Sequence, residues 1–315
     1  MTTHLVRRII QVPITLLVIS VLVFTLTHLI PGDPIVAMLG FNASPELISD
    51  IRSHYGLDRP IHVQYLSWLR AILEGDFGRS IMTREPVLKM VLDRLPSTLI
   101  LAIAATALGT ALALPIGVLS AYKMNSSADY ILRTVAMLGV ATPDFVVAVI
   151  LILIFAVRLK LVPIAGAPHL LKEPARAIPY YILPTITLGF VYAALMARLL
   201  RSSMLEVLAQ DYIRVARAKG LSSARVLWVH AMRNSLIPLI TVLAVNFAYL
   251  LGGAAVMEQI FGLPGMGSMM IRAALERDYP LIQGVAMFVA VIFIVSNLTA
   301  DFLYTVIDPR LRRAQ

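Results

Sequence analysis

The chain has 315 residues, 59% of them hydrophobic and 14% charged, with a mean hydropathy of +0.83. That composition excludes a soluble domain and fits an all-α, polytopic membrane protein. There is no cysteine, which excludes disulfides, thiolate metal sites and cysteine nucleophiles, and the net charge of +9 sits in basic residues beside apolar runs rather than on a basic soluble face, which argues against nucleic-acid binding.

Six runs are apolar and long enough to cross ~30 Å of hydrocarbon, which takes about 20 residues. They lie at roughly 9–30, 99–122, 134–157, 180–197, 236–257 and 282–307. The first follows Arg7 and Arg8 as a signal peptide would. It is too long for a signal-peptide core, and no small-x-small cleavage site follows Ile30, so it reads as an uncleaved span. With the N-terminus inside, the cytoplasmic segments hold 14 Lys/Arg, against 6 in the two shorter outer segments. The long outer segment before residue 98 largely escapes the positive-inside rule, so both termini are expected in the cytoplasm.

After the first run, Pro31-Gly32-Asp33-Pro34 predicts a turn at the outer boundary. Ser44-Pro45-Glu46 has the order of an N-cap, an N1 proline and an acidic first turn, with Gly56 as the stop. Ile61, Tyr65, Trp68, Leu69 and Ile72 recur at helical spacing before Gly75. Glu85-Pro86 opens a third short helix, expected to lie along the interface before the second span. This division predicts two parts: 1–98, one span plus outer helices, and 99–315, five spans with one large cytoplasmic loop.

Pro115 and Gly117 fall in the second span and Pro143 in the third. Thr142-Pro143-Asp144 has the chemistry of a helix start inside a span: Thr as N-cap, Pro at N1, Asp on the helix dipole. An ionisable group there costs at least ~2.5–3.5 kcal/mol on insertion scales, so Asp144 either caps a kinked helix or lines a translocation path. The outer loop at 158–179 carries a lone histidine, His169, expected to be exposed and incidental. Arg198 and Arg201 end the fourth span, where they are expected to snorkel to headgroups. Asn246 in the fifth span bonds a neighbouring helix or contacts substrate, and Gly252-Gly253 offers a close-packing seam. Asn297 and Asp301 share one face of the last span.

Between the fourth and fifth spans, residues 204–238 form the longest polar, basic stretch of the second half. Tyr212 to Lys219 suits a helix, Gly220 stands where a C′ glycine stops one, and Ser222 or Ser223 can cap the next. The pattern is helix–turn–helix, a compact surface offered to the aqueous phase.

This loop, DYIRVARAKGL at 211–221 followed by HAMRNSLIP at 230–238, resembles the coupling loop of ABC-importer permeases in their dipeptide/oligopeptide/nickel branch. The general loop consensus has Glu-Ala-Ala where this chain has Arg214-Val215-Ala216, a departure the branch shares. LIPGDP after the first span, GDFGRSIMTREPVLKMVLDRLPSTL at 75–99, VMEQIFGLPGMGSMMIRAALERDYPLIQG at 256–284 and the DPR at 308–310 resemble the same branch, so the likeness covers nearly the whole chain. The resemblance implies a type I importer permease with six transmembrane helices, in a bacterial inner membrane, forming half of a path for short peptides. It implies a sister permease, two ATPase subunits carrying ATP and Mg, and a substrate-binding protein at the outer loops. It implies that Asp211, Tyr212, Arg214, Ala216, Arg217, Ala218, Lys219, Gly220, Leu221, His230, Arg233 and Asn234 make the ATPase-coupling loop. Asp144 and Asn246 are the candidates for the path.

Other classes fit less well. An integral membrane enzyme would need a metal cluster, a GxSxG turn or a Ser–Lys pair within its spans, and His28 and Asp144 stand apart in different runs. A stand-alone secondary transporter or channel would usually need several intramembrane carboxylates or cations, or an inverted repeat. The sequence has no GxxxxGK[ST], so no ATP site is expected in this chain, nor any metal. Within the importer class, nickel chelates, glutathione and sugars are the alternative cargoes.

Overall fold

The computed structural model describes residues 2–29, 35, 44–54 and 56–307. The described residues are helical, joined by turns, with an isolated β-bridge between Arg79 and Pro86. The turn at Pro31–Pro34 and the basic stretch from Asp308 lie outside them.

The helices in chain order are α1 (Thr2–Leu29), α2 (Pro45–His54), α3 (Ile61–Leu73), α4 (Val87–Tyr122), α5 (Ser127–Ala141) and α6 (Asp144–Leu151), which continues as a π-helix over Ile152–Arg158. Then come α7 (Pro174–Leu208), α8 (Asp211–Ala218), the single turn α9 (Ser223–Arg225), a π-helical Val226–Ala231, α10 (Met232–Ile260), α11 (Met266–Glu276) and α12 (Tyr279–Ile307). Among the described residues five helices are long and apolar enough to cross a membrane, and α5 with α6 makes a sixth if the bent pair counts once.

Several expectations change. The helix opened by Glu85-Pro86 does not stop at the membrane surface. It runs unbroken for 36 residues as α4, through Pro96 and Pro115. The third run is bent far more sharply than a proline kink: α5 and α6 meet at 101° across Thr142-Pro143. The fourth span is longer than its apolar centre, because α7 extends 35 residues from Pro174 at its first turn to Leu208. The outer helices form where expected. Ser44 Oγ accepts the Leu47 N–H at 3.2 Å, and Gly56 and Gly75 end α2 and α3 with φ of +65° and +85°.

The chain groups into two compact units. One comprises Thr2–Thr98 and Pro264–Val295. Its core joins Val87 and Val91 to Met266, Met269 and Ala273 of α11 and to Tyr279, Ile282 and Val285 of α12. Buried polar bonds fasten it. Ser80 Oγ donates to Asp278 Oδ2 at 2.5 Å, and the Met266 N–H donates to Thr98 Oγ1 at 2.8 Å. Against α3, α1 presents Phe24, whose ring meets Tyr65 and Trp68, and Ser20, within 2.9 Å of the Tyr65 hydroxyl. His28, alone in its apolar run, hydrogen-bonds the Phe24 carbonyl and Gln64.

The other unit runs over Leu99–Leu263 and resumes at Ser296. Its core is α7, which buries Tyr192, Met196, Leu200 and Met204 against Ala113, Val118 and Ala121 of α4. Glycines let the helices approach closely. A Cβ at Gly117 would stand 2.8 Å from that of Leu200, and a Cβ at Gly139 of α5 2.8 Å from that of Ala194. His169 of the long irregular segment before α7 is half-buried rather than exposed.

Candidate functional site

The loop after α7 is a folded element, and each part has a local cause. α7 stops at Leu208, and Gln210 turns the backbone to an extended conformation before α8. Asp211 stands in the first turn of α8, where the helix dipole favours an anion, and pairs with Arg214 one turn on. Ile213 and Ala216, three residues apart, face inward and are buried. Tyr212, Arg214, Val215, Arg217, Ala218 and Lys219 are exposed.

The end of α8 is a Schellman turn. The Leu221 N–H reaches the Ala216 carbonyl at 3.4 Å, and the Gly220 N–H reaches that of Arg217 at 2.9 Å. This closure needs a left-handed residue, and Gly220 supplies it with φ +77°. The half-buried Leu221 packs against the same apolar cluster as α7. Ser222 then caps α9, its Oγ accepting the Arg225 N–H at 3.4 Å.

From α9 the helix widens to a π-turn over Val226–Ala231 and continues as the fifth span. Val226, Leu227 and Ala231 are buried, and together with Ile213 and Ala216 they enter the cluster formed by Met196, Leu200 and Met204. Asn234 Nδ2 donates to the Tyr212 hydroxyl at 2.7 Å, clasping α8 to the start of α10. His230 is half-buried in the π-turn and Arg233 is exposed. The twelve loop residues therefore lie on α8, the turn after it, the π-turn and the start of α10, which share one apolar cluster with α7 and leave Arg217 and Lys219 exposed.

Asp144 and Asn246 are not brought together by a bond. Asp144 is half-buried at the first position of α6, where its carboxylate accepts the Phe145 N–H at 2.8 Å. Pro143, not Thr142, occupies the cap position of α6. Thr142 closes α5 instead, its hydroxyl donating to the Leu138 carbonyl at 2.7 Å. Asn246 Nδ2 donates to the Val242 carbonyl of its own helix at 2.8 Å. Among the described residues no group of His, Asp and Glu could hold a metal.

Sequence reasoning missed one polar centre and misplaced part of it. Arg201 does not snorkel. It donates through Nε and Nη2 to the two carboxylate oxygens of Asp129, both at 2.8 Å. Asp129 is fully buried and accepts two further bonds, from Ser120 Oγ at 2.5 Å and from the Asn125 N–H at 3.0 Å. The signal available was Ser126-x-x-Asp129, a capping pattern: Ser126 caps α5, and Asp129 lies in its first turn.

The comparisons agree with this architecture. Residues 113–313 match the family model described as the binding-protein-dependent transport system inner membrane component, and residues 1–102 match its N-terminal companion. A Brucella abortus protein named as a peptide transport system permease is 40% identical over 312 residues, 99% of each chain. A glutathione transport system permease protein of Salmonella choleraesuis is 38% identical over the same span, again 99% of each chain. Among solved structures, a chain of the MetNI methionine ABC transporter in an inward facing conformation is similar in fold. Its TM-score is 0.57 at 15% identity, over 71% of this chain and 99% of that one.

Proposed function

Because the chain belongs to the family of binding-protein-dependent transport system inner membrane components, and is thus a multi-pass permease component of an ABC importer, we propose that it forms one half of a translocation path for short peptides. The loop over 204–238 couples that path to ATP hydrolysis on separate subunits. A sister permease completes the path, ATP and Mg are held by the two ATPases, and a binding protein delivers the peptide. The chain itself performs no covalent chemistry. Both termini and α8 face the cytoplasm of a bacterial cell, and residues 1–98 supply the first span and the outer helices, with 99–315 the remaining spans.

One observation carries the coupling assignment. α8 buries Ile213 and Ala216 in the same core as Leu200 and Met204, while its other face is basic and exposed. A push on the outer face is therefore transmitted to the spans through packed side chains, which resist compression. Peptide as cargo rests on full-length likeness to relatives named for peptide and glutathione transport.

The test is Gly220→Val in the assembled complex. Nothing lies within 4 Å of a Cβ at Gly220, so the added side chain meets space. Its cost is the left-handed backbone, about 1–2 kcal/mol for an ordinary residue and more for a β-branched one. The chain should insert and assemble, while uptake and substrate-stimulated ATP hydrolysis both fall. Normal uptake by a complex of normal abundance would remove α8 from the coupling role. Charge reversal at Arg217 or Lys219 should act in the same direction and more mildly.

A further inference from the structure

The buried carboxylate of Asp129 gathers four hydrogen bonds from three parts of the chain. Ser120 belongs to the last turn of α4, Asn125 to the turn that follows, and Arg201 to α7. Asp129 itself starts α5. Within the ion pair the Asp129 side chain is fully buried and the Arg201 side chain is 18% exposed. A buried pair of this kind contributes little net stability compared with a well-packed apolar pair, because desolvation offsets the attraction. What it fixes is geometry: a two-pronged guanidinium–carboxylate contact tolerates little rotation or sliding.

The elements it joins are the ones a transport cycle would have to move together. Arg201 lies on α7 ten residues before Asp211, and only Ala209 and Gln210 separate α7 from α8. Asp129 lies at the start of α5, whose far end is the 101° bend into α6. A second contact holds the same two helices further along, where Gly139 of α5 meets Ala194 of α7. Fixed at two points, α5 must follow α7.

We propose that the Asp129–Arg201 pair is the joint that carries a displacement of the coupling loop from α7 into the bent α5/α6 pair. Both are positioning residues for transport. This rests on the coupling role of α8 given above, and the readouts below separate the two. A damaged α8 loses substrate-stimulated hydrolysis together with uptake. A damaged joint keeps stimulated hydrolysis, because α8 still meets the ATPase, and loses the transport that should accompany it.

The experiment uses the complete complex in proteoliposomes, with its binding protein and a short peptide, and measures peptide transported per ATP hydrolysed. Three variants are compared: Asp129→Asn, Arg201→Lys and the apolar double Asp129→Leu/Arg201→Met. Asp129→Asn should lower the ratio at least about fivefold, the lower end of usual coupling strengths, with stimulated hydrolysis within about twofold of the parent. Arg201→Lys keeps the charge without the two-pronged contact and should fall between. The double restores burial without the directional bond, and its ratio should stay low in an assembled complex. A parent-like ratio in the double would overturn the proposal, and so would uptake and hydrolysis falling together in proportion to assembled complex. Failure of all three to assemble would overturn it as well, since the pair would then be a folding element only.

Discussion

Asp278 shows how much one side chain can hold. It is fully buried, receives the Ser80 hydroxyl at one oxygen and the Ile81 N–H at the other at 3.1 Å, and caps α12 through the Leu281 N–H at 3.4 Å. Asp278→Ala removes a cap worth about 1 kcal/mol and leaves two buried donors, Ser80 and Ile81, unpaired at about 1–3 kcal/mol each, so a loss of about 3 kcal/mol or more is expected. The segment it anchors carries the exposed Arg79 and Arg84, which trypsin should cut faster in the purified variant; Asp278→Asn, which keeps an acceptor, should be milder. Unchanged cleavage would mean that the apolar core alone holds this segment. At the exposed Tyr212, by contrast, Tyr212→Phe removes one surface bond to Asn234 and should cost no more than about 1 kcal/mol, read as near-normal membrane abundance. Gly220 and Ser222 were legible because backbone and capping rules act within a few residues. Asp129 and Asp278 were not, because the partners that define them, Arg201 and Ser80, lie 72 and 198 residues away.

At the level of whole helices, the α5/α6 break is the informative feature. Sequence reading placed a helix start at Thr142-Pro143-Asp144, and a helix does start there. The size of the turn was beyond local rules, since proline disfavours continuation without setting an angle. If Asp144 serves only the start of α6, Asp144→Asn should retain most transport, because asparagine also accepts a backbone N–H. If it meets a substrate ammonium, the variant should lose free-amine peptides and spare N-acetylated ones; equal loss of both would reject that role. Packing between α5 and α7 admits a sharper test. Gly139→Leu forces side-chain atoms where Ala194 already stands, with an expected cost of about 1–3 kcal/mol, seen as reduced abundance and reduced co-purification of partner subunits. The extent of α4 was misjudged for a simpler reason. Lys89, Asp93 and Arg94 break the apolar run without breaking the helix, so hydropathy marks where a membrane could begin and not where a helix does.

For the molecule as a whole, hydropathy located the spans but could not reveal that residues 75–99 and 264–284 pack together through Ser80–Asp278 and Thr98–Met266. Both stretches carry the family likeness, and their pairing is a tertiary fact with no local trace. Sidedness can be tested with single cysteines, since the chain has none of its own. A cysteine at Ser222 should resist an impermeant reagent added outside intact cells, and one at Arg59 should react. The orientation proposed above would not survive the reverse result.

The bond between Asp129 and Arg201 also bears on a question of parity. It places the beginning of α5 level with the end of α7. α7, with 35 residues and about 52 Å of helix, is long enough to carry its other end to the far side of a bilayer. If α7 crosses the membrane as proposed, the chain changes sides between α5 and the start of α7, and the bent pair is the segment that does so. Were it a re-entrant hairpin, the crossings would be odd in number, and the turn after α4 and the loop bearing α8 would open into different compartments. With an even number they share one. Cysteines at Asn125 and at Ser222, on either side of the bent pair and α7, should then be reached by an impermeant reagent from the same face of the membrane, and labelling from opposite faces would break that equality.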